Sequence, residues 1–214
     1  MKHLISLLAF SFLIGCDGEK SNVAPSKDSP EEAATEAKPP EAVSVNPNLK
    51  YEIKGDAVTI TRCAKDASGE LIIPAIIEGK TVTSIGFSAF FFCRRLTSVT
   101  IPDGVTSIGT QAFSGCTNLT GITIPDSVTS FGDGAFQGCS RLTSITIPDS
   151  VKSIGGMAFM GCSSLSAVTF LGDAPKIGDN AFQLSSPTIY READAKGWGD
   201  TFAGRPVKLI TEKP

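Results

Sequence analysis

A repeat of 23 residues restricts the fold of this chain more than any other feature of its sequence. Segment 96–118, LTSVTIPDGVTSIGTQAFSGCTN, is followed without insertion by close copies over 119–141 and 142–164, and by a looser copy from residue 165. A unit this small cannot bury its own apolar residues, so successive units must stack on one another. The repeat therefore predicts a solenoid.

Each repeat begins with a short predicted strand. Val99 and Ile101 are two residues apart and point to the core side of that strand, whereas Thr100 between them points outward. A Pro-Asp pair then ends the strand in a tight turn, because proline fixes φ and has no N–H to donate. A second apolar pair, such as Val105 and Ile108, follows the turn and predicts a second inward-facing segment.

A column of phenylalanines and a column of cysteines are predicted to complete the interior. Within a repeat, Phe and Cys are three residues apart, which fits a short helical turn on the back of the coil. Buried cysteine behaves as a small apolar residue, so core packing is favoured over a metal or disulfide site, although an oxidising compartment would permit a bridge between close coils. The predicted core columns are Phe90, Phe113, Phe136, Phe159 and Phe182, and Cys93, Cys116, Cys139 and Cys162. Cys63 lies outside the column, and the sequence assigns it no role.

The pattern L-x-x-V/I-T-I-P-D-x-V-x-S-I-G-x-x-A-F-x-x-C resembles the BspA-like class of bacterial leucine-rich repeats over residues 71–186. The resemblance implies a curved, right-handed, β-rich solenoid with a parallel sheet on one face and short helical turns. We count about five coils at this period. The resemblance also implies a secreted or surface-attached protein, often linked to adhesion, and it supplies no catalytic residues.

The first residues have the composition of an export signal. A basic start, an apolar run and the small Gly15 before Cys16 predict that residues 1–15 are a signal peptide. The end of the run resembles a bacterial lipobox, which implies cleavage before Cys16 and attachment of diacylglycerol to its thiol. Acyl chains would then hold the protein in a membrane of the bacterial cell envelope, facing the periplasm or the exterior. The alternative is an ordinary signal peptide with an unmodified cysteine, and the choice between inner and outer membrane stays open.

Three further segments complete the predicted organisation. Residues 16–47 are rich in Pro, Ala, Glu, Ser and Lys, and they have too little apolar surface to fold, so a disordered tether is expected after the lipidated cysteine. Residues 48–70 predict a hairpin about the Gly55-Asp56 turn that caps the first coil. Residues 187–214 lose the period and predict a C-terminal cap in which Trp198 covers the final coil, or alternatively serves as a ligand platform.

The first repeat carries an aromatic pair that the later repeats lack. Phe92 replaces the glycine found as Gly115 in the next repeat, and Phe91 precedes it. We expect both rings to pack against the N-terminal cap. An exposed aromatic patch used for binding is the alternative interpretation.

The inventory of reactive side chains argues against an enzyme. The single histidine, His3, lies in the predicted signal peptide, so the mature chain would have no imidazole for a catalytic base or a metal ligand. Asp103, Asp126 and Asp149 recur at one turn position, which is typical of structural residues, and a weak calcium site there is the minor alternative. No cofactor and no metal are expected. A net charge of −3 without a basic stripe argues against nucleic acid as a partner.

The outward-facing strand positions form a column of small, uncharged side chains that we interpret as the binding face. The face is predicted to comprise Ser98, Thr100, Thr123, Ser144, Thr146 and Thr169. Together these features predict a non-catalytic, lipid-anchored surface protein that presents a leucine-rich-repeat solenoid for protein or glycan binding or adhesion. The alternatives are a structural or spacer lipoprotein of the envelope and an enzyme with an unrecognised site.

Overall fold

The structure, a computed structural model, describes residues 46–213, which form a solenoid of strands joined by tight turns. The predicted signal peptide and almost all of the predicted tether lie outside the described residues. The strands are β1 (Leu49–Lys54), β2 (Ala57–Cys63), β3 (Ser68–Ile72), β4 (Ile76–Ile77), β5 (Lys80–Ile85), β6 (Arg95–Thr100), β7 (Ser107–Ile108), β8 (Gly121–Thr123), β9 (Ser130–Phe131), β10 (Ser144–Ile147), β11 (Ser153–Ile154), β12 (Ala167–Phe170), β13 (Lys176–Ile177), β14 (Thr188–Arg191), β15 (Thr201–Phe202) and β16 (Arg205–Leu209). A short 3₁₀ helix, Ile210–Glu212, follows β16.

One continuous sheet, which we call the side sheet, runs along the stack. Strands β2, β5, β7, β9, β11 and β13 pair in parallel in that order, and β1 pairs antiparallel with the outer edge of β2. The predicted solenoid with a parallel sheet is confirmed. Six strands are stacked, one more than the five coils that the sequence predicts, because β2 of the N-terminal hairpin pairs in parallel with β5 and forms a level of its own.

A second set of strands forms the front sheet, which is divided into two parts. Strands β3, β6 and β8 form one part, and β10, β12, β14 and β16 form the other, again in parallel order. The strand at 188–190, which the sequence suggests is the last, is therefore followed in the sheet by β16. Strand β15 pairs antiparallel with β16 at the end of this part.

A β-turn at the Pro-Asp pair carries the chain from the front sheet to the side sheet. The amide of Val105 donates to the carbonyl of Pro102 at 3.3 Å, and Val128 and Val151 donate to Pro125 and Pro148 at 3.1 Å. The turn that the proline and aspartate predict is therefore present in each of these coils.

The segment that carries Phe and Cys, which we call the turn segment, is not the helical turn that the three-residue spacing predicts. Alternate amides bond in different directions: Ala112 donates to Gly109 in its own coil, whereas Phe113 donates to Ala135 in the next coil at 2.8 Å. Gln111 (φ 56°) also adopts the left-handed conformation. A continuous helix is excluded because half of its donors are used between coils and because left-handed residues interrupt it.

The Phe and Cys columns fill the interior behind the turn segments. The nine residues predicted as core columns are at most 1% exposed. The rings stack nearly parallel, with centroids 4.7 Å apart for Phe90 and Phe113 and 5.4 to 5.5 Å apart for the later neighbours. Stacking of this kind adds to the burial of apolar area, so the column stabilises each coil only in the presence of its neighbours.

The two ends of the described chain differ in construction. At the start, β1 and β2 form the expected hairpin around Gly55, whose φ of 61° suits the tight turn. At the other end, the half-buried Trp198 lies 5.0 Å from Phe170 between ring centroids, and its indole N–H donates to the carbonyl of Gly172 at 3.2 Å. The roles of these segments as caps stay predictions. Within residues 46–213, no helix has the length and hydropathy needed to cross a bilayer.

Candidate functional site

Most of the predicted binding residues lie together on the outer surface of the front sheet, which we call the front face. Thr100, Thr123, Ser144 and Thr146 are exposed, and Ser98 is half-buried. Strand pairing aligns Ser98 with Gly121 and Thr100 with Thr123 in neighbouring coils. The alternation of the strands thus places small hydroxyl groups outward in register, as the spacing predicts.

Thr169 does not belong to the exposed face. It is only 6% exposed, because Tyr190 lies beside it on the neighbouring strand and Lys213 reaches over it from the end of the chain. The ammonium of Lys213 donates to Oγ1 of Thr169 at 3.2 Å. The position in the repeat predicts the outward direction of this side chain, but the covering residues come from a segment that has lost the repeat.

The front face is divided where β8 and β10 fail to pair. On one side of the division, the amide of Thr120 donates to Thr97 at 2.9 Å, and on the other side Ser166 donates to Thr143 at 2.9 Å. Among residues 46–213, no backbone bond joins Thr143 to Thr120, the equivalent pair between them. The facing edges of β8 and β10 therefore present backbone groups that the repeat would otherwise pair.

A cleft of about 560 Å³, open to solvent, lies on the front face over this division. It extends from Glu70 on β3 across β6 and β8 to Ser144 and Thr146 on β10. Its side chains are mostly hydroxyl groups, and Glu70 is the one charged residue among those that line it in the described part of the chain. The cleft offers both donors and acceptors of hydrogen bonds but no aromatic ring.

Two residues at the division differ from their counterparts in the other coils. Ile122 is half-buried, whereas the equivalent Val99 is 2% exposed and Ile145 is 3% exposed. In the same coil, Phe131 occupies the side-sheet position that is isoleucine in the other repeat coils, and its ring contacts both Phe136 and Phe159. The coil with the bulkiest interior residue on the side sheet is thus the coil that separates from the next one at the front.

The thiols of the Cys column are hydrogen-bonded within the core. Sγ of Cys116 donates to the carbonyl of Phe90 at 3.0 Å, and Cys139 and Cys162 donate to Phe113 and Phe136 at 3.2 and 3.1 Å. Burial raises the pKa of Cys116 and of Cys162 to about 12. These thiols are therefore protonated and unreactive at neutral pH, which suits a packing role.

Two further residues donate a hydrogen bond to a phenylalanine carbonyl at levels where the column has no cysteine. The hydroxyl of Ser185 donates to Phe159 at 2.6 Å, and the guanidinium of Arg205 donates to Phe182 at 2.8 Å. Ser185 lies 23 residues after Cys162, so its place in the repeat was readable from the sequence, although its function as a substitute donor was missed. Arg205 lies outside the repeats, and no sequence signal identified it.

The two rings of the aromatic pair in the first repeat have different neighbours. Phe92 is 40% exposed and lies against Gly115 of the next coil, with the guanidinium of Arg94 4.7 Å from its ring centroid. It adopts the left-handed conformation (φ 54°) of the glycines at this position, and its ring lies toward the next coil. Phe91 is half-buried with Lys65 5.4 Å from its ring.

Two carboxylates of the described chain take part in contacts with backbone or lysine. Asp133 accepts the amide of Gly156 at 2.7 Å, and Asp149 forms an exposed ion pair with Lys152 at 3.2 Å. Residues 46–213 contain no group of three or more His, Cys, Asp or Glu side chains arranged to hold a metal ion.

The family comparison agrees with this architecture. The family described as "BspA type Leucine rich repeat region" matches residues 70–188 in six copies, which is more than half of the chain. The chain belongs to this family. The matched range contains five of the six stacked strands of the side sheet, β5, β7, β9, β11 and β13, whereas β2 of the hairpin precedes it.

Solved structures of other leucine-rich repeat proteins show the same fold. A leucine-rich repeat protein of T. pallidum, TpLRR, is 31% identical with a TM-score of 0.61, over 67% of this chain and 68% of that protein. A leucine-rich repeat protein from Bacteroides capillosus is 29% identical with a TM-score of 0.51, over 68% of this chain and 95% of that protein. Among curated proteins, none matches the chain.

Proposed function

We propose that the chain is a non-catalytic, lipid-anchored protein of the bacterial surface whose solenoid binds an extended protein or glycan partner along the front face. The observation that carries the proposal is the cleft over the β8–β10 division, where hydroxyl groups and unpaired strand edges lie together. Membership of the BspA-type family supports a role in binding rather than catalysis.

The chemistry of the cleft indicates the kind of partner. Hydroxyl groups and free backbone groups both donate and accept hydrogen bonds, so they complement a peptide main chain or the hydroxyls of a sugar chain. The cleft has no aromatic or arginine anchor of the kind that dominates tight interfaces. We therefore expect binding that depends on an extended shape and on many small contacts rather than on one deep pocket.

The anchor belongs to a part of the chain outside the described residues. In this proposal, cleavage before Cys16 and acylation of its thiol attach the mature chain to a membrane, and residues 17–47 act as the tether. Stable anchoring of this kind requires more than one acyl chain, because each buried methylene adds only about 0.8 kcal/mol.

The binding proposal is tested with a pair of serine-to-arginine variants of the full chain. Ser144 lines the cleft, whereas Ser164 is equally exposed outside it. Binding is measured to immobilised extracellular matrix proteins, to a glycan array and to isolated bacterial envelope. We expect Ser164→Arg to bind a matrix protein or glycan like the wild type and Ser144→Arg to bind at least about tenfold more weakly, a loss of about 1.4 kcal/mol.

Two results would contradict the binding proposal. Equal binding by Ser144→Arg and Ser164→Arg would exclude the cleft. Binding to the envelope alone would favour the spacer lipoprotein. The anchor has a separate test: radiolabelled palmitate is expected to label the wild type and Cys139→Ser, and to be lost in Cys16→Ser.

A further inference from the structure

Cys63 and Cys93 lie next to each other where the N-terminal hairpin meets the first repeat. Cys63 ends β2, Cys93 lies in the turn segment of the next coil, and both are fully buried. Sγ of Cys63 lies 3.6 Å from the carbonyl oxygen of Ala64, and Sγ of Cys93 lies 3.8 Å from the same oxygen. Sγ of Cys93 is also 3.9 Å from the carbonyl oxygen of Cys63 itself. Both sulfurs therefore lie close to the same carbonyl oxygen, that of Ala64.

Cys93 differs from the rest of its column in its hydrogen bonding. The thiols of Cys116, Cys139 and Cys162 each donate to a phenylalanine carbonyl of the preceding coil at 3.0 to 3.2 Å. The coil before Cys93 is the hairpin, which has no such phenylalanine, and Cys93 makes only the longer contacts near Cys63. Its sulfur is thus not held in place by a short bond to the neighbouring coil.

We propose that Cys63 and Cys93 form a disulfide when the chain folds in an oxidising compartment, and that this bond joins the N-terminal hairpin covalently to the first repeat. The proposal depends on the proposed export of the chain only for its occurrence in the cell. The chemistry itself is testable in solution, independently of export and binding.

The oxidant is a protein or small-molecule disulfide, and the reaction is balanced as two exchanges. The thiolate of Cys93 attacks one sulfur of the oxidant, which forms a mixed disulfide and releases one thiol. The thiolate of Cys63 then attacks Sγ of Cys93 and releases the second thiol. The two cysteines together lose two protons and two electrons, and the oxidant is reduced to two thiols.

The environment of the pair in the folded protein makes the two thiols unequal. Hydrogen bonding between the two thiols lowers the pKa of Cys93, with the nearby ammonium of Lys65 acting in the same direction, and it raises the pKa of Cys63. In the folded protein, Cys93 is therefore the more readily ionised thiol of the two. Because both sulfurs are fully buried in the folded protein, the exchange takes place before the hairpin closes over the first coil.

The disulfide would constrain the N-terminal hairpin, which lies outside the repeats. The hairpin contributes one level to the side sheet, and its pairing with β5 contains a register shift between Val58 and Thr59. A disulfide across residues 63–93 would restrict the unfolded chain and stabilise this attachment. Reduction of the bond is expected to lower the midpoint of thermal unfolding by roughly 5–10 °C.

The test uses the full chain, unfolded under reducing conditions and refolded in a buffer of oxidised and reduced glutathione. After alkylation of free thiols and digestion with trypsin, mass spectrometry without reduction identifies linked peptides. We expect peptide 63–65, Cys-Ala-Lys, to be linked to peptide 81–94, which contains Cys93, while Cys116, Cys139 and Cys162 are recovered alkylated. Recovery of both peptides alkylated, or a link from Cys93 to Cys116, would overturn the proposal.

Two variants separate the bond from a general need for cysteine. Cys139→Ser keeps the linked pair, because a serine hydroxyl makes the equivalent core bond at Ser185. Cys63→Ser abolishes the linked peptide and removes the effect of reductant on the unfolding midpoint. An equal effect of reductant on Cys63→Ser and on the wild type would contradict the assignment. The wild-type peptide map decides the question if Cys63→Ser does not fold.

Discussion

The side sheet and the front sheet are built by the same coils, yet only the side sheet is continuous. Between the third and fourth repeat coils of the side sheet, Lys152 donates to Thr129 at 2.8 Å and Gly155 donates to Phe131 at 2.9 Å. At the same level of the front sheet, β8 and β10 are not paired. The two-residue strands of the side sheet thus hold the stack together more regularly than the longer strands of the front sheet.

Glycine explains part of this difference. A Cβ atom added at Gly132, directly after side strand β9, would lie 2.4 Å from the backbone nitrogen of Thr110, whereas one added at Gly121 on the front sheet would meet nothing within 4 Å. The residues after side strand β9 thus pack against the backbone of the preceding coil, whereas the front face is open above Gly121. Backbone contact therefore limits side-chain size beside the side sheet, whereas the front face has room for additional side-chain atoms.

The largest expected effect on stability comes from adding a methyl group beside the side sheet, and it is compared with the same addition on the front sheet. Gly132→Ala is expected to destabilise the protein by about 3 kcal/mol or more, because the new Cβ meets backbone that cannot move without disturbing the next coil. Gly121→Ala is the matched control, with a change within about 1 kcal/mol and in the stabilising direction, since alanine loses less backbone entropy than glycine. Urea unfolding measures both. Equal destabilisation by the two variants would refute the difference between the sheets.

A smaller effect is expected from alkaline pH, which acts on the turn segments and not on the threonines of the front face. Burial raises the pKa of Cys116 and Cys162 from 9.0 to about 12. In the unfolded chain these thiols ionise as the pH rises through 9, whereas in the folded chain they stay protonated until about 12. The unfolded state therefore binds fewer protons in this range, and stability falls as pH rises from 9 toward 12.

At pH 10 the loss is on the order of 1 kcal/mol for each of the two thiols. The measurement is urea unfolding between pH 8 and 10.5, with a Cys116→Ser/Cys162→Ser double variant as the control. Serine does not titrate in this range, and Ser185 shows that a hydroxyl fits the site. A pH dependence as steep in the double variant as in the wild type would attribute the loss to other groups.

The smallest expected change in stability, within about 1.5 kcal/mol, comes from Phe131→Ile, which gives the third repeat coil the side-sheet residue of its neighbours. With the bulk of Phe131 removed, β8 and β10 are expected to pair, so that Thr143 donates to Thr120 as Ser166 donates to Thr143. Hydrogen exchange of the Thr143 amide should slow by about tenfold or more. Unchanged exchange would show that Phe131 does not hold the division open. Ile154→Val, at the same position of the next coil, serves as the control.

The sequence predicted the features that each coil contains in itself. The strand, the Pro-Asp turn and the inward direction of Phe136 and Cys139 follow from local spacing, since period-two alternation and turn chemistry act within one unit. The prediction of a helical turn in the turn segment was wrong, because a spacing of three residues does not show that alternate amides bond to the next coil.

Features that depend on contacts between coils were not predictable in this way. The division at β8 and β10 accompanies the packing of Phe131 against two neighbouring rings, and the burial of Thr169 depends on Lys213, which is 44 residues away. The front face was predicted as a smooth column of hydroxyls, and only the three-dimensional packing of the coils divides it. The sequence therefore predicted the outward direction of most of these side chains, but not the shape of the surface that they form.

The bonds to the phenylalanine carbonyls give the stack a direction and a rule for changing its length. From the second repeat coil onward, each coil supplies a donor to the coil before it, and Arg205 closes the series at Phe182. An additional unit of 23 residues inserted before residue 187 would bring a cysteine for Phe182 and would present its own phenylalanine carbonyl to the arginine. Duplication of a whole unit could therefore lengthen the protein without altering either end, whereas a partial unit would leave a backbone acceptor unpaired.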